Sequence, residues 1–238
     1  MNKLILTICS LSIFLSSCSR NRVEPSATLS SKAHSISSFS KIDVSNAFEV
    51  FIRFSDTDEK LLIEANDNLH DYIVVNQRGT ELEIRLKRNT SISGKSRLRA
   101  YITTTDLSVI EASGASAIYF ENDFIATSLD LDLSGASSFN GNLFLDNLEI
   151  EGSGSSDFEI QGESKNLNFD LSGASSIEDY GFSISEQIRA ELSGASSSKL
   201  RVDGNMYIDA SGASTFYYKG NGNIKSQDLS GSSSIKKK

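Results

Sequence analysis

A serine-glycine unit recurs seven times in this chain and constrains its fold more than any other feature. The copies read ASGASAI, LSGASSF, GSGSSDF, LSGASSI, LSGASSS, ASGASTF and LSGSSSI. Intervals of 21, 19, 19, 21, 18 and 19 residues separate their first serines, which are Ser113, Ser134, Ser153, Ser172, Ser193, Ser211 and Ser230. A period of about 20 residues predicts a solenoid in which each coil buries its inward side against its neighbours.

The spacing of apolar residues within a coil predicts strands rather than helices. Leu129, Leu131 and Leu133 alternate with polar residues, and a period of two is typical of a half-buried strand. At ~3.3 Å per residue, about 20 residues suffice for three short strands, so we predict an all-β fold, a parallel β-helix. Leucine-rich repeats have a similar length, but their asparagine ladder and helical half are missing. The glycine after each first serine predicts a corner with positive φ.

The N-terminus predicts a secreted lipoprotein. Residues 1–17 hold Lys3 and an apolar stretch shorter than the roughly 20 residues that cross a bilayer, which indicates a cleaved signal peptide. Leu15-Ser16-Ser17-Cys18 matches the bacterial lipobox, so we expect Cys18 to be lipidated and to anchor the chain in the membrane. The non-acidic Ser19 resembles enterobacterial signals for the outer membrane, although the face of that membrane stays open.

We divide the remaining chain into three segments. Residues 18–38, the lipidated cysteine and a serine-rich stretch, are interpreted as a flexible tether. Residues 39–110 are interpreted as an irregular β N-terminal part, because Ile42-Asp43-Val44-Ser45-Asn46-Ala47 echoes the repeat. A separate small β-domain is the alternative. Residues 111–238 form the regular β-solenoid.

Composition argues against several functions. Cys9 leaves with the signal peptide and Cys18 is modified, so no thiol remains for a disulfide, a metal or catalysis. Loss of residues 1–17, whose charged residue is Lys3, takes the net charge from -8 to -9, which argues against nucleic acid as a partner. The histidines are His34 and His70, outside the repeats, and no Gly-x-Ser-x-Gly elbow occurs. We therefore expect no enzyme.

An acidic residue stands two positions before the first serine of every repeat. These residues are Glu111, Asp132, Glu151, Asp170, Glu191, Asp209 and Asp228. Stacked coils would align them in an outward column at ~4.8 Å spacing. One interpretation is that each accepts a hydrogen bond from its own corner. Another is a ladder of divalent cations, for which Ca²⁺ is the candidate, or a docking face for a cationic partner; apart from that candidate we expect no cofactor. The third is simple solubility.

Two further sets of hydroxyl-bearing residues stand out. A second serine lies three positions after each first serine, and we expect these side chains to face inward and satisfy backbone groups. They are Ser116, Ser137, Ser156, Ser175, Ser196, Ser214 and Ser233. Tyr207, Tyr217 and Tyr218 either stack on a sugar or are ordinary outward strand residues.

Two motifs resemble the putative auto-transporter adhesin, head GIN domain family of Bacteroidetes lipoproteins. They are Phe39-Ser40-Lys41-Ile42-Asp43-Val44 and the recurrent Leu/Ala-Ser-Gly-Ala-Ser unit, and the resemblance covers about residues 39–235. It implies a β-helical, extracytoplasmic adhesin and supplies no catalytic residues. We therefore expect a non-enzymatic cell-envelope module that binds a glycan or an envelope protein. The alternative is a carbohydrate-binding or carbohydrate-active β-helix similar to polysaccharide lyases.

Overall fold

The computed structural model describes residues 21–178 and 180–238. Of the described residues, 63% lie in strands and 3% in a helix, and they form a parallel β-solenoid of about seven turns, so the predicted fold class is confirmed. The signal peptide and Cys18 lie outside the described residues, and their assignments stay predictions. Within residues 21–178 and 180–238, no helix has the length and apolar character needed to cross a membrane.

Nearly every element described is a strand. The N-terminal part contains β1 (Asn21–Val23), β2 (Leu29–His34), β3 (Lys41–Val44), β4 (Glu49–Phe54), β5 (Lys60–Asn66), β6 (Ile73–Arg78), β7 (Glu81–Leu86), β8 (Thr90–Ile92) and β9 (Leu98–Thr104). The repeats contain β10 (Val109–Ala112), β11 (Ala117–Phe120), β12 (Phe124–Leu133), β13 (Ser138–Gly152), β14 (Asp157–Leu171), β15 (Ser176–Glu178), β16 (Phe182–Leu192), β17 (Ser197–Val202), β18 (Asn205–Ala210), β19 (Thr215–Lys219), β20 (Asn223–Leu229) and β21 (Ser234–Lys237). A 3₁₀-helix, Asp67–Tyr72, lies between β5 and β6.

The repeat glycines turn the chain at a corner between two strands of each coil. Their φ angles lie between +68° and +77°, a region that a Cβ makes costly. The corners also stack, since the N–H of Ala174 donates to the Gly154 carbonyl oxygen at 2.7 Å. In the first coil Asn46, with φ +72°, takes the place of glycine. The predicted positive-φ corner is therefore confirmed.

The corner separates two outer faces of each coil, faces A and B, and a third parallel row away from the corner pairs residues 124–126, 143–145, 162–164, 182–184 and 201–202. Face A consists of the strands that end at the corner, paired in parallel in the order β7, β3, β10, β12, β13, β14, β16, β18, β20. Face B consists of the strands that begin after the corner, in the order β9, β4, β11, β13, β14, β15, β17, β19, β21. Equivalent residues of successive coils therefore align on both faces.

One hydrophobic core runs through the described chain from Val23 to Tyr218. Alternate residues of each face point inward and stack on their equivalents, as buried Phe139 pairs with buried Phe158. Burial of each large apolar side chain of this kind contributes roughly 1.5–3 kcal/mol to the stability of the fold. The second serine of each repeat also faces inward: Ser175 Oγ donates to the Ser172 carbonyl oxygen at 2.9 Å. The other six repeats make the same bond, which confirms the inward hydroxyl ladder.

The irregular N-terminal part shares this sheet and core. Strand β3 lies between β7 and β10, and β4 lies between β9 and β11. Two antiparallel pairs, β5 with β9 and β6 with β7, complete it. The segment is thus built around the first coil, the one with its corner at Asn46.

The interpretation of residues 18–38 as a flexible tether is wrong for much of the part that the structure describes. Strand β1 pairs with β8, and β2 pairs antiparallel with β5. Asn68 Nδ2 also donates to the Glu24 carbonyl oxygen at 2.8 Å. These contacts use backbone groups on a largely exposed strand. Amino-acid composition gives no information on backbone pairing. A serine-rich strand at the edge of a sheet is therefore easily mistaken for a linker.

Candidate functional site

The acidic residues before the corners form one continuous column on face A. The seven predicted carboxylates align coil after coil. Asp43 and Glu83 extend the series, because Glu111 pairs with Asp43, and Asp43 with Glu83. The resulting acidic column comprises Glu83, Asp43, Glu111, Asp132, Glu151, Asp170, Glu191, Asp209 and Asp228.

Sequence reasoning missed two members of this column. Asp43 stands two residues before Ser45, in the degenerate copy of the repeat, so its signal was present in the sequence. Glu83 belongs to no repeat and joins only because β7 pairs with β3. No local pattern marks such a residue.

Charges interact most strongly at the N-terminal end of the acidic column. Lys41 Nζ lies 2.6 Å from Glu111 Oε1, and this hydrogen bond raises the pKa of Lys41. Burial, and then the charge of Glu111, raises the pKa of Asp43 and of Asp132. The hydrogen bond from the Arg85 guanidinium instead lowers the pKa of Glu83.

The remaining column carboxylates face solvent without a corner partner. Among the described residues, none of the nine accepts a hydrogen bond from a corner serine or corner N–H. Those backbone groups bond to the neighbouring coil, as Ser172 N does to the Gly152 carbonyl oxygen at 2.8 Å, so the interpretation as turn chemistry is wrong. Residues 21–178 and 180–238 also contain no group of three His, Cys, Asp or Glu placed to hold a metal ion.

Face B carries a second outward column of mixed chemistry. In stacking order this mixed column is Tyr101, Phe51, Tyr119, Asn140, Glu159, Glu178, Lys199, Tyr217 and Lys236. The first three form a stack, since the Phe51 ring centroid lies 5.3 Å from that of Tyr101 and 5.1 Å from that of Tyr119. Polar and charged residues follow, so the chemistry changes along the rod.

The three tyrosines considered for sugar stacking do not share a surface. Tyr218 is buried in the core beside Phe216, with ring centroids 6.1 Å apart, and cannot reach a ligand. Tyr207 lies on face A under the Arg189 guanidinium. Tyr217 lies on face B. Alternation from the buried Phe216 places Tyr218 on the inward side and Tyr217 on the outward side, so the sequence contained the signal that separates these two tyrosines.

A groove of about 540 Å³ opens on face B along the mixed column. Asn140 Nδ2 donates to Glu159 Oε2 at 2.6 Å, and Lys199 forms an ion pair with Glu178. The polar side chains that line the groove are Asn140, Asn142, Glu159, Gln161, Glu178, Tyr180 and Lys199. Sequence analysis singled out none of these residues as a site.

One additional residue places Tyr180 beside the groove. Glu159 pairs with Glu178 and Gly162 pairs with Phe182. Two residues therefore lie between the paired positions on β14, whereas three lie between those on β15 and β16. An additional residue has no partner in the neighbouring strand and makes the chain bulge. Tyr180 lies in this connection, and Lys219 Nζ sits 4.2 Å from its ring centroid.

A family model matches most of this chain. The model described as putative auto-transporter adhesin, head GIN domain, matches residues 38–222. No curated protein matches the chain.

Solved structures share the fold. A putative adhesin from Bacteroides fragilis is 20% identical, with a TM-score of 0.82, over 91% of this chain and 100% of that one. A putative adhesin from Parabacteroides distasonis is 19% identical, with a TM-score of 0.72, over 92% and 100%. A putative lipid binding protein from the same organism is 18% identical, with a TM-score of 0.72, over 92% and 100%.

Proposed function

The chain belongs to the putative auto-transporter adhesin, head GIN domain family, and from that membership we propose that it is a non-enzymatic, adhesin-like module of the bacterial cell envelope. The observation that carries this proposal is the register of the two outer faces. A rigid rod that repeats similar outward groups at ~4.8 Å intervals suits many weak contacts to an extended partner. Such contacts gain avidity when they are made together.

The proposal includes an outer-membrane lipid anchor on Cys18. Two or more acyl chains hold a protein stably in a membrane. In cells fed an alkyne-labelled fatty acid, the wild-type chain should carry the label and sediment with membranes, whereas Cys18→Ser should do neither. Label on both proteins, or on neither, would refute the anchor. Protease added to intact cells would then distinguish the outer face from the periplasm.

Attachment tests the proposed function directly. Residues 19–238 contain the whole buried core of the described chain, so this fragment can be coated on beads. We expect coated beads to attach to bacterial or host surfaces more than beads coated with a protein of equal net charge. Equal attachment would refute the adhesin-like function.

The acidic column keeps its proposed role as a cation or partner site within this function. Calorimetric titration with Ca²⁺ tests it, with the wild type compared to a variant in which Asp132, Glu151 and Asp170 are all changed to Asn or Gln. Saturable heat in the wild type alone would establish the site. No heat in either protein would leave the column as a solubilising array of charge.

A further inference from the structure

We infer that the groove under Tyr180 binds an uncharged glycan. This inference rests on the proposed adhesin-like function and names the ligand class and the surface that the function would use. The groove's volume of about 540 Å³ lies within the range of roughly 300–1,000 Å³ typical of small-molecule sites.

The regular rod is interrupted at the groove. Nearer the N-terminal end of face B, Phe51 stacks between Tyr101 and Tyr119. At the groove, the additional residue between β15 and β16 lifts Tyr180 beside the column. This break gives the rod a concave surface bounded by an aromatic ring.

The ring of Tyr180 is held in a defined position. The Lys219 ammonium lies 4.2 Å from the ring centroid, within the range of a cation–π interaction. Lys219 thereby occupies one ring face, and the ring also borders the groove. The opposite face of the Tyr180 ring would pack against the apolar C–H face of a pyranose, because aromatic side chains combine an apolar ring with a polar edge.

The other residues that line the groove offer both donors and acceptors. The amides of Asn142 and Gln161 supply N–H and C=O groups, and the Glu159 carboxylate supplies acceptors. The hydrogen bond from Asn140 at 2.6 Å orients Glu159. A row of mixed donors and acceptors suits neighbouring sugar hydroxyls, each of which donates and accepts.

The charge of the groove disfavours other ligands. Among the described residues that line the groove, Glu159 and Glu178 are negatively charged and Lys199 is positively charged and paired with Glu178. Lys219 lies against the Tyr180 ring and does not line the groove. Phosphate, sulfate and uronate groups would meet uncompensated negative charge. The polar lining also disfavours a lipid chain, because buried polar groups would lose their water without replacement.

The test compares two tyrosines of face B. A tetrameric, fluorescent form of residues 19–238 is applied to arrayed neutral glucans, mannans, galactans and xylans, beside sulfated and uronate-containing glycans and phospholipid vesicles. Tyr180→Ala should reduce retention on at least one neutral glycan about tenfold, as expected for a central aromatic contact. Tyr180→Phe should keep it. Tyr217→Ala is the matched control, since Tyr217 also lies under a lysine but outside the groove, and should leave retention unchanged.

A second variant separates binding from folding. Glu159→Gln keeps the side-chain shape and should lower retention on the same glycan while the melting temperature stays that of the wild type. Binding to no neutral glycan, binding to anionic glycans or vesicles alone, or full retention by Tyr180→Ala would each overturn the inference. If coated beads still attach to cells in those cases, the adhesin-like function stands and only the groove assignment fails.

Discussion

Replacing Gly173 with alanine should destabilise the solenoid far more than the same change at a glycine outside the stacked corners. Gly173 has φ +70°, and a Cβ there would lie 2.4 Å from the carbonyl oxygen of Gly154 in the preceding coil. Gly79 has φ +60°, but a Cβ there would meet no atom within 4 Å. The two glycines therefore share backbone strain and differ in the contact between coils.

The two costs can be estimated separately. Left-handed backbone costs a non-glycine residue roughly 1–2 kcal/mol, and both variants bear it. At Gly173 the added methyl group must also push the coils apart and weaken the 2.7 Å hydrogen bond from Ala174 N to Gly154 O. Backbone shifts forced by an inserted methyl group add about 1–3 kcal/mol. At roughly 2–4 °C per kcal/mol for a domain of this size, Gly79→Ala should lower the Tm by about 2–8 °C and Gly173→Ala by about 4–20 °C.

Thermal melting of residues 19–238 followed by far-ultraviolet circular dichroism measures both variants against the wild type. Gly173→Ala should melt below Gly79→Ala. Equal melting temperatures would show that the contact between stacked corners contributes nothing to the requirement for glycine.

Three smaller predictions follow from buried or charged side chains. Ser198 is fully buried and its hydroxyl has no hydrogen-bond partner among the described residues, so Ser198→Ala should raise the Tm. Ser196→Ala should lower the Tm, because the Ser196 hydroxyl donates to the carbonyl oxygens of Leu171 and Ser193. Burial and Glu111 raise the folded-state pKa of Asp132, so its ionisation opposes folding; Asp132→Asn should melt higher than wild type at pH 7, and this advantage should vanish as pH falls through the raised pKa. Arg85 lowers the pKa of Glu83, so Glu83→Gln should melt lower at pH 7, with the deficit lost as pH falls through that lowered pKa. Melting curves at neutral pH and at about pH 3, below the ordinary pKa values of Asp and Glu, test both, and shifts of the opposite sign would contradict them.

The regular coils were predictable because one short pattern controls them. Alternation of apolar residues settles which side faces inward, and the glycine marks the corner. The seven carboxylates could be predicted from the same pattern, because in-register pairing aligns the equivalent outward residues of successive coils in a column.

The groove was not predictable, because it depends on a difference between coils rather than on the repeat. One residue more between Glu178 and Phe182 than between Glu159 and Gly162 creates it, and the sequence alone does not show on which side of the coil that residue is accommodated. Strand β2 was missed for a related reason. Its pairing with β5 uses backbone groups that composition does not report.

We propose that this rod binds by many weak contacts and leaves its ligand chemically unchanged. The most direct measurement compares a monomer and a tetramer of residues 19–238 on one retaining glycan surface, with the soluble fraction analysed for released sugar by mass spectrometry. The claim predicts retention of the tetramer at least about 100-fold above that of the monomer, with no sugar released. Equal retention, or soluble fragments that accumulate with time, would contradict it and indicate the carbohydrate-active alternative.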